Sequence, residues 1–137
     1  MSVFADTHLL LYAASGCPDD SVKSTCARQI LREKDIVISF QVLQEFYANA
    51  LNPRKLGLTH SQTLAYCQAW LTFPVVPLTA DTFVQTLELA TRYRISHWDA
   101  AIVAAAQQAG CGLLYSEDLN HGQDYAGIRL ENPFRGL

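Results

Sequence analysis

Short apolar runs alternate with helical patterns along this chain. Continuous apolar runs at 3–5, 36–39 and 111–115 are typical of buried parallel strands, and a last strand is predicted at 128–131. The segment FPVVPL at 73–78 is extended but contains two prolines, which allow only an edge strand or a short one. The order predicts a three-layer α/β/α fold around a mainly parallel sheet of about five strands.

The clearest predicted helix follows ISHWDAAIVAAAQQAG, at 95–110. Ser96 is a hydroxyl N-cap, Asp99 stands where a carboxylate can reach back to free amides, and Gly110 is suited to the position after the helix. The residues after Asp99 are almost all Ala, Ile and Val, which predicts a buried helix. If Asp99 binds a cation, its capping bond to Ser96 should be weak or absent, since one carboxylate has limited room for both.

Two other helix starts carry clear signals. Thr59 with Gln62 forms a capping-box pattern before a helix that runs through Trp70. Thr79 and Asp81 precede a helix at 83–92, in which three apolar residues are expected to share one face. These three residues are Val84, Leu87 and Ala90.

Four acids lie where such a fold places ligands. Asp6 follows the first strand, Asp118 lies in the polar loop after 111–115, and Asp99 opens a helix. These positions can all face the carboxyl edge of the sheet, whereas Glu45, in the helix after the second strand, needs a favourable rotation to join them. Each acid also has a structural explanation: a plain N-cap, a turn residue, or a glutamate at the edge of the core.

Clustered carboxylates imply a particular chemistry. They repel one another and raise one another's pKa values unless a cation compensates them. Oxygen ligands favour Mg²⁺ or Mn²⁺ over zinc, and Mg²⁺ often completes its shell with water and substrate phosphate. The predicted reaction is phosphoryl transfer to water.

Composition narrows the class of protein. The 137 residues are half hydrophobic and suit one domain spanning 1–137. A net charge of −3 argues against nucleic-acid binding by broad attraction, but not against an enzyme that places cations between itself and phosphate. No membrane span or basic leader is recognisable, so we expect a soluble, cytoplasmic protein. The widely spaced cysteines predict reduced thiols: Cys17, Cys26, Cys67 and Cys111.

Four motifs in order carry a resemblance to a known family. They are FADTHLLLYA, SFQVLQEFYAN, ISHWDAAIVAAA and LLYSEDLNHGQ, followed by ENPF. Together they resemble the PIN-domain family, and in particular the VapC-like toxins of bacterial type II toxin–antitoxin systems. The resemblance covers essentially the whole chain, and the ordered set is far more specific than any one motif.

The resemblance implies a PIN fold and Mg²⁺- or Mn²⁺-dependent ribonuclease activity. It also implies an antitoxin partner, and homodimers are common among similar proteins. The family often has Asn two residues after its first Asp, whereas this chain has His8. The resemblance assigns the metal-binding and catalytic roles to Asp6, Glu45, Asp99 and Asp118, with Thr7 and Ser116 as supporting hydroxyls.

Three functions are compatible with these residues. The first is a metal-dependent endoribonuclease toxin acting on RNA. The second is a non-catalytic module of the same fold that acts through a protein partner. The third is metal-free cleavage in which His8, His97 or His121 serves as acid and base, although lone histidines are more often structural.

Overall fold

The computed structural model describes all 137 residues, which form a mainly parallel sheet between helices. The helices are α1 Thr7–Ala14, α2 Ser21–Glu33, α3 Phe40–Leu51, α4 His60–Trp70, α5 Ala80–Tyr93 and α6 His97–Gln108, with a 3₁₀ turn at Pro18–Asp20. The strands are β1 Ser2–Ala5, β2 Asp35–Ser39, β3 Val75–Val76, β4 Leu113–Tyr115, β5 Asp124–Tyr125 and β6 Ile128–Glu131.

The sheet has the order β3-β2-β1-β4-β6-β5, and β1 therefore lies near its middle. All pairs are parallel except β5 with β6. The α/β class and the mainly parallel sheet are confirmed, but the sheet has six strands rather than five. The additional strand, Asp124–Tyr125, has only two residues, too few to show any hydrophobic period.

Helix α6 contains the longest continuous run of buried residues in the fold. Every residue from Ala100 to Ala106 is buried, as the sequence predicts. Its small side chains let the helix backbone approach α5 and the strands β2, β4 and β6. Gly110 follows the helix with φ of 72°, a left-handed conformation that glycine adopts without strain.

Most of the apolar face of α5 points away from the core. Val84 is 63% exposed and Leu87 is 48% exposed. The buried residues of α5 are instead Thr82, Thr86 and Leu89, and the Thr86 hydroxyl donates to the Thr82 carbonyl at 2.7 Å. Because that bond satisfies the Thr86 hydroxyl internally, a threonine can occupy the core while valine and leucine face outward.

Other local predictions are confirmed. Thr59 and Gln62 form both bonds of the capping box at the start of α4. Cys111 is a buried free thiol, and the other three cysteines are also unpaired. None of the six helices combines the length and the hydrophobicity that a membrane crossing needs.

Candidate active site

The carboxylate of Asp6 lies at the carboxyl end of β1, where it caps α1. It is 4% exposed, and its two oxygens accept hydrogen bonds of 2.7 Å from the Thr7 amide and of 2.7 Å from the Ser116 hydroxyl. Burial raises the pKa of Asp6 to about 6, although both bonds favour the charged form. Asp6 therefore does act as the N-cap of α1, but capping uses only one of its two carboxylate oxygens.

Ser116 links two of the predicted acids. Its hydroxyl donates to Asp6 and also accepts from the Asp118 amide at 3.1 Å. The register of the sheet places Ala5 beside Tyr115, so the residues that follow these two strands meet at the same edge. Asp6 and Asp118 are thus brought together, as their positions after parallel strands predict.

Glu45 faces the same edge from α3. One of its oxygens accepts from the Thr7 hydroxyl at 3.1 Å, and the other accepts from the Gln41 side chain at 2.6 Å. The Gln41 amide also donates to the Trp98 carbonyl at 3.2 Å, and it thereby ties α3 to the start of α6. Gln41 is not among the residues predicted from the sequence, although its position one turn before Glu45 offers a signal.

Asp99 approaches the other acids from the first turn of α6. Burial is the main cause of its raised pKa, which the Ser96 hydroxyl opposes and the charges of Asp118 and Glu45 increase. The Ser96 hydroxyl accepts from the Asp99 amide at 3.0 Å, but the reciprocal bond from the Ser96 amide to the Asp99 carboxylate is not formed. The capping box predicted here is therefore only half made.

The donors that lie closest together are those of Asp6, His8 and Asp118. One ligand atom from each lies within 4.8 Å of the other two. The Nδ1 atom of His8 is buried and has no hydrogen-bond partner. Two carboxylates beside an unpartnered imidazole nitrogen fit a divalent cation, with Glu45 and Asp99 around this group rather than within it.

Glu117 is engaged elsewhere. Its carboxylate accepts from the Tyr12 hydroxyl at 2.9 Å and from the Lys23 ammonium at 3.1 Å. The carboxylate of Asp118 has no such partners and lies 3.5 Å from the His8 nitrogen. Of these two neighbouring acids, Asp118 is the one left free to face the site.

Two grooves meet at Glu45 and Asn49. One, of about 480 Å³, is bordered by Trp98, and the other, of about 230 Å³, is bordered by His8 and Lys55. Trp98 is 67% exposed, which is unusual for so large an apolar side chain. The surface beside the acids therefore carries the ammonium group of Lys55 and the aromatic ring of Trp98.

The remaining histidines lie outside the close donor group. The Nδ1 atom of His121 accepts from the Asn132 amide at 3.0 Å, which fixes the polar loop to the end of β6. His97 packs its ring against Phe83 and Trp98. Their contacts match the structural roles that lone histidines usually have.

Solved structures with the same architecture include several toxins. VapC20 of Mycobacterium tuberculosis, a sarcin-ricin loop cleaving toxin, is 23% identical with a TM-score of 0.68, covering 93% of this chain and 98% of that one. A toxin–antitoxin complex from Klebsiella pneumoniae is 23% identical with a TM-score of 0.71, covering 98% of both chains. DNA-bound VapBC from Salmonella typhimurium is 17% identical with a TM-score of 0.70, covering 97% of this chain and 98% of that one. At these identities the likeness shows a shared fold.

Comparison with curated proteins gave no match. The family model described as PIN domain, in contrast, matches residues 3–123. That range begins in β1, ends just before β5 and includes all four acids of the site. A match over most of the chain, on a fold that brings these acids to one edge of the sheet, places this protein in the PIN domain family.

Proposed function

We propose that this protein is a metal-dependent endoribonuclease that acts as the toxin of a type II toxin–antitoxin pair in the cytoplasm. The observation that carries the proposal is the group formed by Asp6, His8 and Asp118, with two further acids beside it. An acid as buried as Asp6 is costly to ionise, and a cation is the usual means of stabilising several such charges together.

The chain's own residues hold and orient this site. Ser116 and Thr7 fix the two oxygens of Asp6, and Gln41 fixes Glu45. The proposed ligands and catalytic acids are Asp6, Glu45, Asp99 and Asp118. Bound Mg²⁺ or Mn²⁺ would activate water for attack on the phosphodiester and stabilise the charge on the leaving oxygen.

The surface beside the acids supports an RNA substrate. Lys55 can contact phosphate, and the exposed ring of Trp98 offers a face on which an unpaired base can stack. The net charge of −3 makes broad electrostatic binding weak. RNA selection would therefore depend on shape and on a few such contacts.

Partners follow from the same proposal. The related folds include toxins bound to antitoxins, which supports an antitoxin that covers the acids of this chain. The outward apolar face of α5, with Phe83, Val84 and Leu87 exposed, supports a homodimer. Membrane attachment has no part in this proposal.

The test compares two aspartates placed alike at helix starts. Asp99→Asn should abolish Mn²⁺-dependent cleavage of a structured RNA while the circular dichroism spectrum stays unchanged. Asp81→Asn alters the exposed aspartate in the first turn of α5 and should leave cleavage intact. Equal activity of wild type and Asp99→Asn would remove Asp99 from the catalytic set.

The alternative, a non-catalytic PIN-fold module acting through a protein partner, differs in one measurable property. Calorimetric titration of the wild type with Mn²⁺ should show saturable binding at millimolar ion or below. An absence of binding would favour the module. Cleavage that persists in EDTA would instead favour the histidine-based mechanism.

A further inference from the structure

The position of His8 sets this site apart from a purely carboxylate one. His8 lies one residue after the first residue of α1, and its Nδ1 atom is 3.5 Å from the nearer Asp118 oxygen. That nitrogen is buried and makes no hydrogen bond. A buried polar atom without a partner costs free energy, so a partner missing from the chain itself is expected.

The distances fit a shared cation better than a direct bond. A nitrogen and an oxygen at 3.5 Å are at the limit of a hydrogen bond. Neighbouring donors about 2.1 Å from an octahedral cation lie about 3 Å apart, and opposite donors about 4 Å apart. The spread of up to 4.8 Å among the three donors needs only a small contraction to reach those values.

We propose that His8 is a direct metal ligand through Nδ1, together with Asp6 and Asp118, and that it makes the site prefer Mn²⁺ to Mg²⁺. The inference rests on the proposed function for the presence of a metal. Imidazole nitrogen suits transition metals, whereas Mg²⁺ strongly prefers oxygen. A carboxylate-only site would not have this preference built into its donor set.

The competing explanation is that His8 is a cation paired with Asp118. The two explanations predict opposite changes on substitution. Removing a ligand weakens Mn²⁺ binding, whereas removing a competing positive charge strengthens it. His8→Asn keeps a polar side chain of similar reach and therefore distinguishes them.

The experiment uses the whole chain and Mn²⁺ alone, without RNA. Calorimetry of His8→Asn should show Mn²⁺ affinity reduced roughly tenfold or more, with Mg²⁺ affinity changed less than about threefold. Pulsed electron paramagnetic resonance of the Mn²⁺-loaded wild type should show coupling to a directly bound imidazole nitrogen, and His8→Asn should lose it. His60→Asn changes an exposed histidine on α4 and should retain both properties.

Each outcome has a defined meaning. A wild-type spectrum without nitrogen coupling overturns the inference even if His8→Asn fails to fold, and unchanged or stronger Mn²⁺ binding in the folded variant also overturns it. Those results leave the proposed function standing as long as Asp6→Asn weakens Mn²⁺ binding. A wild type that binds no Mn²⁺ at all refutes the metal-dependent function itself.

Discussion

The hydroxyl of Ser116 donates a 2.7 Å hydrogen bond to the carboxylate of Asp6, across a separation of 110 residues. The parallel pairing of β1 with β4 makes this bond possible, because it aligns the ends of the two strands. The same hydroxyl accepts from the Asp118 amide, so one side chain sets the relative position of two acids. Ser116 is therefore a positioning residue for the site.

Removal of that hydroxyl should damage both stability and metal binding. Ser116→Ala leaves one oxygen of buried Asp6 without its donor, and we expect a loss of about 1–3 kcal/mol in the free energy of unfolding. Mn²⁺ affinity should fall roughly tenfold, since Asp6 is no longer oriented. Urea denaturation and calorimetry measure the two effects. Ser116→Thr keeps the hydroxyl and should lie near wild type, whereas equal losses in both variants would assign the effect to packing.

The buried carboxyl of Asp6 should make the metal-free protein less stable as pH rises. Its pKa in the fold is about 6, against 3.8 for an ordinary aspartate, so between these values the folded state holds a proton that the unfolded chain has released. Stability contributed by this group is present below pH 3.8 and is lost as pH rises through about 6. The difference amounts to about 3 kcal/mol at most.

Asp6→Asn provides the comparison for that effect. In EDTA, the variant should gain stability relative to wild type as pH rises from 4 to about 7, and urea denaturation at several pH values measures the gain. At neutral pH, saturating Mn²⁺ should make the wild type more stable than the variant, because only the wild type binds the ion well. Parallel pH profiles for the two proteins would show that Asp6 ionises without penalty.

Trp98 should act on RNA binding rather than on folding. Its side chain is largely exposed, so Trp98→Ala should change the free energy of unfolding by less than about 0.5 kcal/mol. Loss of a stacked base costs about 1–3 kcal/mol, which corresponds to roughly 5- to 160-fold weaker RNA binding. Fluorescence anisotropy with a catalytically inactive Asp99→Asn background measures this change. Trp98→Phe should restore most of the affinity, and full affinity in Trp98→Ala would place the RNA elsewhere.

The exposed face of α5 should mediate self-association. Val84→Glu puts a charge on this face and should shift the protein toward monomer in sedimentation velocity. Val22→Glu makes the same change at a valine of α2 that is 61% exposed, close to the 63% of Val84. It should not alter the proportions of monomer and dimer. A wild type that is monomeric at every concentration tested would contradict this prediction.

The sequence predicted the layers of the fold well because its signals are local. The alternation of strands and helices, the capping box at Thr59 and the buried alanine-rich helix α6 each depend on residues close together in the chain. The orientation of α5 could not be predicted in this way. Which face of a helix is buried depends on what packs against it, and hydroxyls such as that of Thr86 can be satisfied within the helix itself.

The candidate acids could also be chosen from the sequence, because residues that follow parallel strands meet at one edge of a sheet. Asp6 and Asp118 satisfy that rule, Asp99 opens a helix that can face the same edge, and Glu45 needed a favourable rotation of its helix as well. Gln41 escaped notice because its role depends on reaching Glu45 and the Trp98 carbonyl at the same time. The spacing from Gln41 to Glu45 is visible in the sequence, but the contact with Trp98 on another helix leaves no periodic trace.

What the sequence by itself determined is the α/β class, the helix starts and the candidate positions of the four acids, since these follow from local periodicity, capping chemistry and chain order. Only the tertiary structure decided which of two adjacent acids is free, because Lys23 and Tyr12 reach Glu117 across the fold. It also decided that His8 directs a buried nitrogen toward Asp118. These outcomes depend on distances between side chains far apart in the chain, which are fixed only when the sheet and helices pack together.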